Sequence, residues 1–245
     1  MGIDEIFDQK KSWVMSKVSY KIIDEQRLQD VDYHGKMVRP LYFKLVYARK
    51  SSTFKSAFFN QLTKPKHAIH VGAARKVPTI DQLFKKEQQV INFIIDKLGD
   101  SFSLPLFKAE YGYYTTDLIE FTEGLFNEFL RIYLTDEGLP SFARSLFEGN
   151  KTVDIYQVVD DLKICFKAES YSKLLENAYN LAPPYLVLHN FARTIKKWPV
   201  ILPVIEWEQK DTRELFVRHI KENFKGISPE TTLYEVDRYV KRISK

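Results

Sequence analysis

The clearest secondary-structure signal in the chain is the segment Pro40-Leu-Tyr-Phe-Lys-Leu-Val-Tyr-Ala-Arg-Lys-Ser-Ser-Thr-Phe-Lys-Ser-Ala-Phe-Phe-Asn60. Aromatic and β-branched residues favour a pleated surface that is buried on one side. Strand alternation places Leu41, Phe43, Leu45 and Tyr47 on one face and Tyr42, Lys44, Val46 and Ala48 on the other. We therefore predict a β-hairpin with a polar turn over residues 49–52 and a second strand over residues 53–58.

The residues on either side of this hairpin extend the prediction to a fold class. Val18–Ile23 has the composition of a strand, and residues 24–37 form a polar connection that turns at Gly35. From residue 77 onward, apolar residues recur at helical spacing. We expect an α+β fold, with a small basic region over residues 1–76 that holds an antiparallel three-stranded sheet. A mainly α-helical domain of about seven to eight helices follows over residues 77–245.

Positive charge is concentrated around the hairpin. The chain carries a formal net charge of +5, and no acidic residue occurs between Tyr33 and Ile80. The same window holds ten basic residues, namely Lys36, Arg39, Lys44, Arg49, Lys50, Lys55, Lys64, Lys66, Arg75 and Lys76, so the remaining residues sum to −5. A concentrated basic patch is typical of a protein that binds a polyanion.

The hairpin has the dimensions of a DNA-binding element. A two-stranded ribbon fits the major groove of DNA, and lysines beside it contact phosphate groups. We therefore expect DNA as a partner. The candidate contacts are Lys44, Arg49, Lys50 and Lys55 in the hairpin and Lys64, Lys66, Arg75 and Lys76 in the basic linker that follows. A solvated sheet face with a basic rim would show the same charge pattern.

The run Pro40-Leu-Tyr-Phe-Lys-Leu-Val-Tyr-Ala-Arg-Lys-Ser-Ser-Thr-Phe-Lys-Ser56 resembles the N-terminal arm-type DNA-binding domain of tyrosine recombinases from mobile elements. The resemblance covers residues 17–61. It implies a three-stranded sheet that docks on DNA, with contacts from Lys44, Arg49, Lys50 and Lys55. The catalytic His-x-x-Arg of that family is not matched, because His189-Asn-Phe-Ala-Arg193 is one residue too long. The resemblance therefore implies no catalysis.

Capping signals predict the helix boundaries of the second domain. Thr79-Ile-Asp-Gln82 is a capping box that opens a helix ending at Gly99, and the strongest helix runs over residues 117–134 with Phe129 facing the core. Further helices are predicted over residues 141–147, 152–166, 170–179, 185–195, 211–225 and 228–243, with a second capping box at residues 211–214. Residues 102–114 are expected to be mixed in structure and residues 198–207 extended.

No catalytic motif is complete in the sequence. Phosphate-cradling glycine loops and a G-x-S-x-G elbow are absent, and the pair His67-Ala-Ile-His70 has no nearby Glu or Cys to complete a metal site. Cys165, the single cysteine, is expected to be a buried structural thiol. The acid-x-Lys pattern of Glu206-Trp-Glu208-Gln-Lys210 follows an expected apolar strand, as in metal-dependent nucleases, although no upstream Asp stands out.

Three functions therefore remain open. The favoured one is a non-enzymatic DNA-binding protein without a cofactor, serving as an accessory or regulator of a mobile element. The second is a helical protein–protein adaptor, which the 22 basic and 25 acidic residues from Ile80 onward would suit. The third is a nuclease around Glu206, Glu208 and Lys210. No apolar run is long enough to cross a membrane, and one cysteine suits a reducing compartment, so we expect a cytoplasmic protein without a membrane partner.

Overall fold

The computed structural model describes residues 18–23, 29–68, 77–148, 154–196 and 200–243. These residues belong to two compact units. The N-terminal unit consists of the described parts of residues 1–64 and 77–115, and the C-terminal unit consists of those of residues 65–76 and 116–245. The units thus divide the chain at other positions than the boundary predicted after residue 76, because two helices group with the sheet.

The predicted three-stranded antiparallel sheet is confirmed. Its strands are β1 (Val18–Ile23), β4 (Tyr42–Tyr47) and β5 (Lys50–Lys55), in the order β1-β4-β5. The predicted polar connection contains a separate small ladder of β2 (Val31–Tyr33) and β3 (Lys36–Val38). Its turn uses His34 and Gly35 at φ 53° and 84°, and the Gly35 N–H donates to the Asp32 carboxylate at 2.8 Å.

The turn of the hairpin was predicted two residues too long and one residue too late. Ala48 and Arg49 form it alone, both in the left-handed region at φ 48° and 65°. Two such residues match the right-handed twist of the flanking strands, so a two-residue turn closes the ribbon. The second strand accordingly starts at Lys50 and ends at Lys55, and Phe58 lies in the helix α1 (Ala57–Leu62) rather than in the strand.

Two helices cover the apolar side of the sheet. They are α3 (Ile80–Leu98), which opens with the predicted capping box at Thr79, and α4 (Leu104–Thr115), with a 3₁₀ turn at Gly99–Ser101 between them. Phe43 is fully buried and faces Phe84 of α3, with a distance of 6.4 Å between ring centroids. Phe54 meets Tyr111 of α4 at 4.7 Å. Residues 104–115 are therefore helical where mixed structure was expected, because Pro105 lies in the first turn, where no N–H donor is needed.

The C-terminal unit is helical in its described residues. Its helices are α2 (Pro65–Ala68), α5 (Leu118–Asp136), α6 (Pro140–Glu148), α7 (Ile155–Cys165), α8 (Ala168–Asn180), α9 (Tyr185–Lys196), α10 (Val204–Trp207), α11 (Lys210–Asn223) and α12 (Pro229–Ile243). All eight helices predicted between residues 77 and 245 are present, and α4 and the short α10 add to them in that range. No helix among the described residues has the length and apolar character required to cross a membrane.

Several local predictions in this unit were wrong. Residues 204–207 form a helical turn instead of an extended segment, and α11 starts at Lys210 without a side-chain cap, so the capping box predicted at residues 211–214 does not form. Cys165 is exposed at the end of α7. Phe129 is only half-buried, whereas Phe126 on the same helix is fully buried.

A buried carboxylate joins α5 to the segment that precedes α10. Asp117 caps α5, and its Oδ1 accepts hydrogen bonds from the N–H groups of Ile119 at 3.1 Å and Leu202 at 2.9 Å. The Leu118 N–H donates to the Leu202 carbonyl at 2.9 Å, and the Val204 N–H donates to the Thr116 carbonyl at 3.0 Å. Burial raises the pKa of Asp117 to about 6 despite these hydrogen bonds. The segment is therefore held by backbone pairing although Pro203 lies within it.

A second buried carboxylate, Glu87 of α3, holds the end of the sheet. Its side chain is fully buried. The Ser56 hydroxyl donates to Oε2 at 2.6 Å, the Tyr111 hydroxyl donates to Oε1, and the Ala57 N–H lies 3.4 Å from Oε1. Ser56 in turn caps α1 by accepting from the Phe59 N–H at 3.1 Å. One carboxylate thus connects the exit of β5, α1, α3 and α4.

The stability of the N-terminal unit should depend on the protonation of Glu87. Burial raises the pKa of Glu87 from 4.5 to about 7, outweighing the hydrogen bonds from Ser56, Ala57 and Phe58 that lower it. The folded state therefore keeps a proton that the unfolded chain loses above about pH 4.5. This contribution is complete below that pH and is lost as the pH rises through about 7.

Urea unfolding between pH 5 and pH 8 tests this expectation. The free energy of unfolding of the wild type should fall with rising pH, relative to Glu87→Gln, by on the order of 3 kcal/mol. The amide of Glu87→Gln does not titrate, so its curve supplies the reference. Parallel curves for the two proteins would show that Glu87 is ionised throughout this range.

Phe126 and Phe129 offer a matched pair for the packing of α5. Phe126 is fully buried and contacts Tyr185 with a distance of 5.3 Å between ring centroids, whereas Phe129 is half-buried. Phe126→Ala should lower the free energy of unfolding by about 3–5 kcal/mol and Phe129→Ala by about 1–2 kcal/mol. Urea denaturation followed by circular dichroism measures both, and equal losses would contradict the orientation of α5.

Candidate nucleic-acid interface

The register of the sheet gathers the polar residues of all three strands on one side. Directly opposed residues share a face, so Ser19 pairs with Val46 and Ser51, Lys21 with Lys44 and Thr53, and Ile23 with Tyr42 and Lys55. We call this set of nine residues the lysine face. They are exposed or half-exposed, whereas Val18, Phe43 and Leu45 on the other side are buried.

Three lysines of this face, Lys21, Lys44 and Lys55, have no carboxylate partner among the described residues. Lys21 and Lys44 are direct cross-strand neighbours, and like charges in that position repel each other. Lys55 lies one pair further along, and its ammonium group donates to Asn60 Oδ1 at 2.7 Å. Within the ranges that the structure describes, no carboxylate lies within ion-pair distance of Lys21, Lys44 or Lys55. An anionic ligand would relieve this repulsion.

The structure places three of the four hairpin residues predicted as DNA contacts at one surface. Lys44 and Lys55 point from the lysine face, as the alternation predicted. Arg49 lies in the turn at the end of that face, whereas Lys50 pairs with Tyr47 and therefore belongs to the opposite face of the sheet. Both are exposed. Lys21 was not among the predicted contacts, although Ser19 and Lys21 alternate with apolar residues in β1.

The described linker residues among the predicted contacts are divided between the two units. Lys64 follows α1 in the N-terminal unit, but Lys66 belongs to α2 in the C-terminal unit. There the Lys66 ammonium group lies 2.7 Å from Oε2 of Glu123, and both side chains are largely buried. Its charge is therefore already compensated. The predicted contacts Arg75 and Lys76, and the His70 partner of His67, lie outside the described residues.

The residues of the nuclease hypothesis do not form a metal-binding group. Glu206 lies in α10 and Glu208 follows it, so the apolar strand expected before them is not present at residues 204–207. Lys210 is exposed and its ammonium group lies 3.7 Å from the carboxylate of Glu214. Among the described residues, no three His, Cys, Asp or Glu side chains lie close enough together to hold a metal ion.

His189, the histidine whose spacing to Arg193 does not match the recombinase motif, belongs to a buried polar network. Its Nε2 lies 2.6 Å from Asp154 Oδ2, and the Tyr185 hydroxyl donates to Oδ1 of the same carboxylate. Burial raises the pKa of Asp154, but these hydrogen bonds outweigh it and hold the pKa below its usual range. Asp154 also caps α7 by accepting from the Tyr156 N–H at 2.9 Å. This network connects α7 to α9, and sequence spacing alone gave no sign of it.

Substitution of the first turn residue tests the geometry that presents Arg49. Ala48 has φ 48°, where a Cβ atom is strained and glycine is not. Ala48→Gly should therefore raise the free energy of unfolding by about 0.5–1 kcal/mol. The control Ala109→Gly, at an exposed position within α4, should lower it by a similar amount. Destabilisation by both changes in chemical denaturation would mean that the turn is built differently.

Comparison with known proteins leaves the lysine face without a precedent. No protein-family model, no curated protein and no solved structure matches the chain at a significant level. The function is therefore inferred from the geometry and charge of the chain itself.

Proposed function

We propose that the protein binds nucleic acid through the lysine face, with Arg49 extending the contact at the turn. The observation that carries the proposal is the clustering of Lys21, Lys44 and Lys55 on one exposed sheet face without carboxylate partners in the described residues. Phosphate groups are the ligands that such lysines bind in nucleic acids.

The charge distribution favours a polyanion, rather than an isolated acidic group, as the ligand of the lysine face. The window from residue 34 to residue 79 contains no acid, so no carboxylate within it competes for these lysines. The basic residues form an extended surface from Lys55 along the sheet to Arg49 in the turn, rather than a closed pocket. An extended ligand with regularly spaced charges can satisfy them all, and a nucleic acid backbone has this form.

We further propose that the nucleic acid is DNA and that the protein is an accessory or regulator of a mobile element. This part rests on the resemblance of residues 17–61 to arm-type DNA-binding domains. The function needs no chemistry of its own, so the helical C-terminal unit would serve assembly or support.

A protein–protein adaptor is the second candidate. It is favoured by large apolar side chains on the surface of the C-terminal unit, where Ile164, Leu181 and Tyr234 are 87%, 73% and 65% exposed. Residues of this kind occur at protein interfaces. Under this proposal the lysine face keeps the protein soluble, and nucleic acid binds only weakly and without dependence on Lys21, Lys44 and Lys55.

Removal of the three lysines tests nucleic-acid binding. In fluorescence anisotropy with a labelled duplex, the affinity of the wild type should fall steeply as salt concentration rises, because phosphate contacts release counterions. The triple variant Lys21→Ala, Lys44→Ala, Lys55→Ala should bind more weakly and show a salt slope smaller by about three. It should remain folded, since these side chains lie outside the core.

A variant with the same change in net charge provides the control. Lys85, Lys108 and Lys163 are exposed helix residues. Their triple replacement by Ala should leave the affinity and the salt slope close to those of the wild type. If both triple variants lose the same affinity, the loss reflects net charge and not the lysine face. Binding by the wild type whose affinity does not depend on salt concentration would contradict the proposed function.

A further inference from the structure

One aromatic residue of the sheet differs from the others in its position. The sheet contains Tyr20, Tyr42, Phe43, Tyr47 and Phe54. Four of them lie on the side covered by helices and have partners there. The Tyr20 hydroxyl donates to Asn92 at 3.0 Å, Phe43 faces Phe84, Tyr47 faces Phe102 at 4.8 Å and Phe54 faces Tyr111. Tyr42 alone lies on the lysine face.

Tyr42 lies at one end of that face, where β4 begins. It belongs to the central strand, directly between Ile23 of β1 and Lys55 of β5, and it is half-exposed. Lys44, the next residue of β4 on the same face, lies about 7 Å further along the strand. In the described part of the chain no other ring packs on Tyr42.

The residues next to Tyr42 on the lysine face leave part of its side chain exposed. Ile23 and Lys55 are its direct cross-strand neighbours, and Lys44 and Thr53 form the next pair along the face. The long side chains beside the ring are lysines, whose charged ends seek water or phosphate. A partly exposed aromatic ring beside ammonium groups can bind an unpaired base by stacking while lysines hold the flanking phosphates.

We infer that Tyr42 is a stacking platform for an unpaired base, so that the lysine face binds single-stranded nucleic acid in preference to duplex. Bases of a duplex are stacked on one another and do not offer a face to the protein, whereas unpaired bases do. This inference rests on the proposed function, because the lysines supply the phosphate contacts and Tyr42 supplies the selection of strandedness. The chemistry recognised, an unpaired base between phosphates, is shared by DNA and RNA.

The test compares three labelled ligands with the full chain and two variants. The ligands are a single-stranded DNA of about 12 nucleotides, the RNA of the same sequence and the corresponding duplex DNA. Tyr42→Phe keeps the ring, and Tyr42→Leu removes it while keeping an apolar side chain. Fluorescence anisotropy gives the affinities, and a 2-aminopurine base within the single strand reports stacking directly by loss of its fluorescence.

The wild type and Tyr42→Phe should bind the single strand and quench 2-aminopurine alike. Tyr42→Leu should bind the single strand about tenfold more weakly, lose the quenching and bind the duplex as the wild type does. A preference for one of the two single strands over the other would assign the partner to DNA or to RNA.

Other outcomes overturn one proposal or both. If the wild type binds duplex as tightly as single strand and Tyr42→Leu changes neither affinity, the stacking role is wrong while nucleic-acid binding stands. If Tyr42→Phe loses affinity as Tyr42→Leu does, the hydroxyl group and not the ring makes the contact. If no ligand binds at low salt, the proposed function fails together with the inference.

Discussion

Every side-chain position in the sheet depends on the register between β4 and β5. Strand side chains alternate with a period of two, so a slip of β5 by one residue against β4 would bury Lys55 and expose Phe54. Two features fix this register. The two-residue turn at Ala48 and Arg49 sets it at one end, and the burial of Phe43 and Leu45 against the helices enforces it along the strand. The lysine face is a direct product of the same constraint that builds the core.

Glu87 extends that constraint from the strands to the helices. A carboxylate in a protein interior is unfavourable unless hydrogen-bond donors surround it, and Ser56 and Tyr111 provide them. The geometry at the exit of β5 is thereby tied to α3 and α4, since Ser56 follows Lys55 directly. Lys55 in turn contacts Asn60 of α1. One end of the candidate interface is therefore set by a buried polar cluster rather than by loose surface contacts.

The sequence predicted those features that depend on short repeating patterns. Alternation found the strands and the orientation of Lys44 and Lys55, and apolar spacing with capping residues found eight helices. The turn was predicted at the wrong residues because Ala48 and Arg49 adopt left-handed conformations, whereas glycine or asparagine usually occupies such positions. Glu87 lies on the apolar stripe of α3, between Leu83 and Val90, so a sign of its burial was present. The pairing of Lys66 with Glu123 joins residues 57 positions apart, and no local pattern can reveal such a contact.

Because Lys21 and Lys44 lie directly opposite each other, the stability of the sheet also depends on the salt and the ligands in solution. Repulsion between neighbouring ammonium groups weakens the pairing of β1 with β4, and dissolved salt screens that repulsion. A ligand that binds only the folded sheet shifts the folding equilibrium by mass action, in proportion to the logarithm of its free concentration. The melting temperature of the N-terminal unit is therefore itself a binding assay, which reports any polyanion that occupies this surface without a label on either molecule.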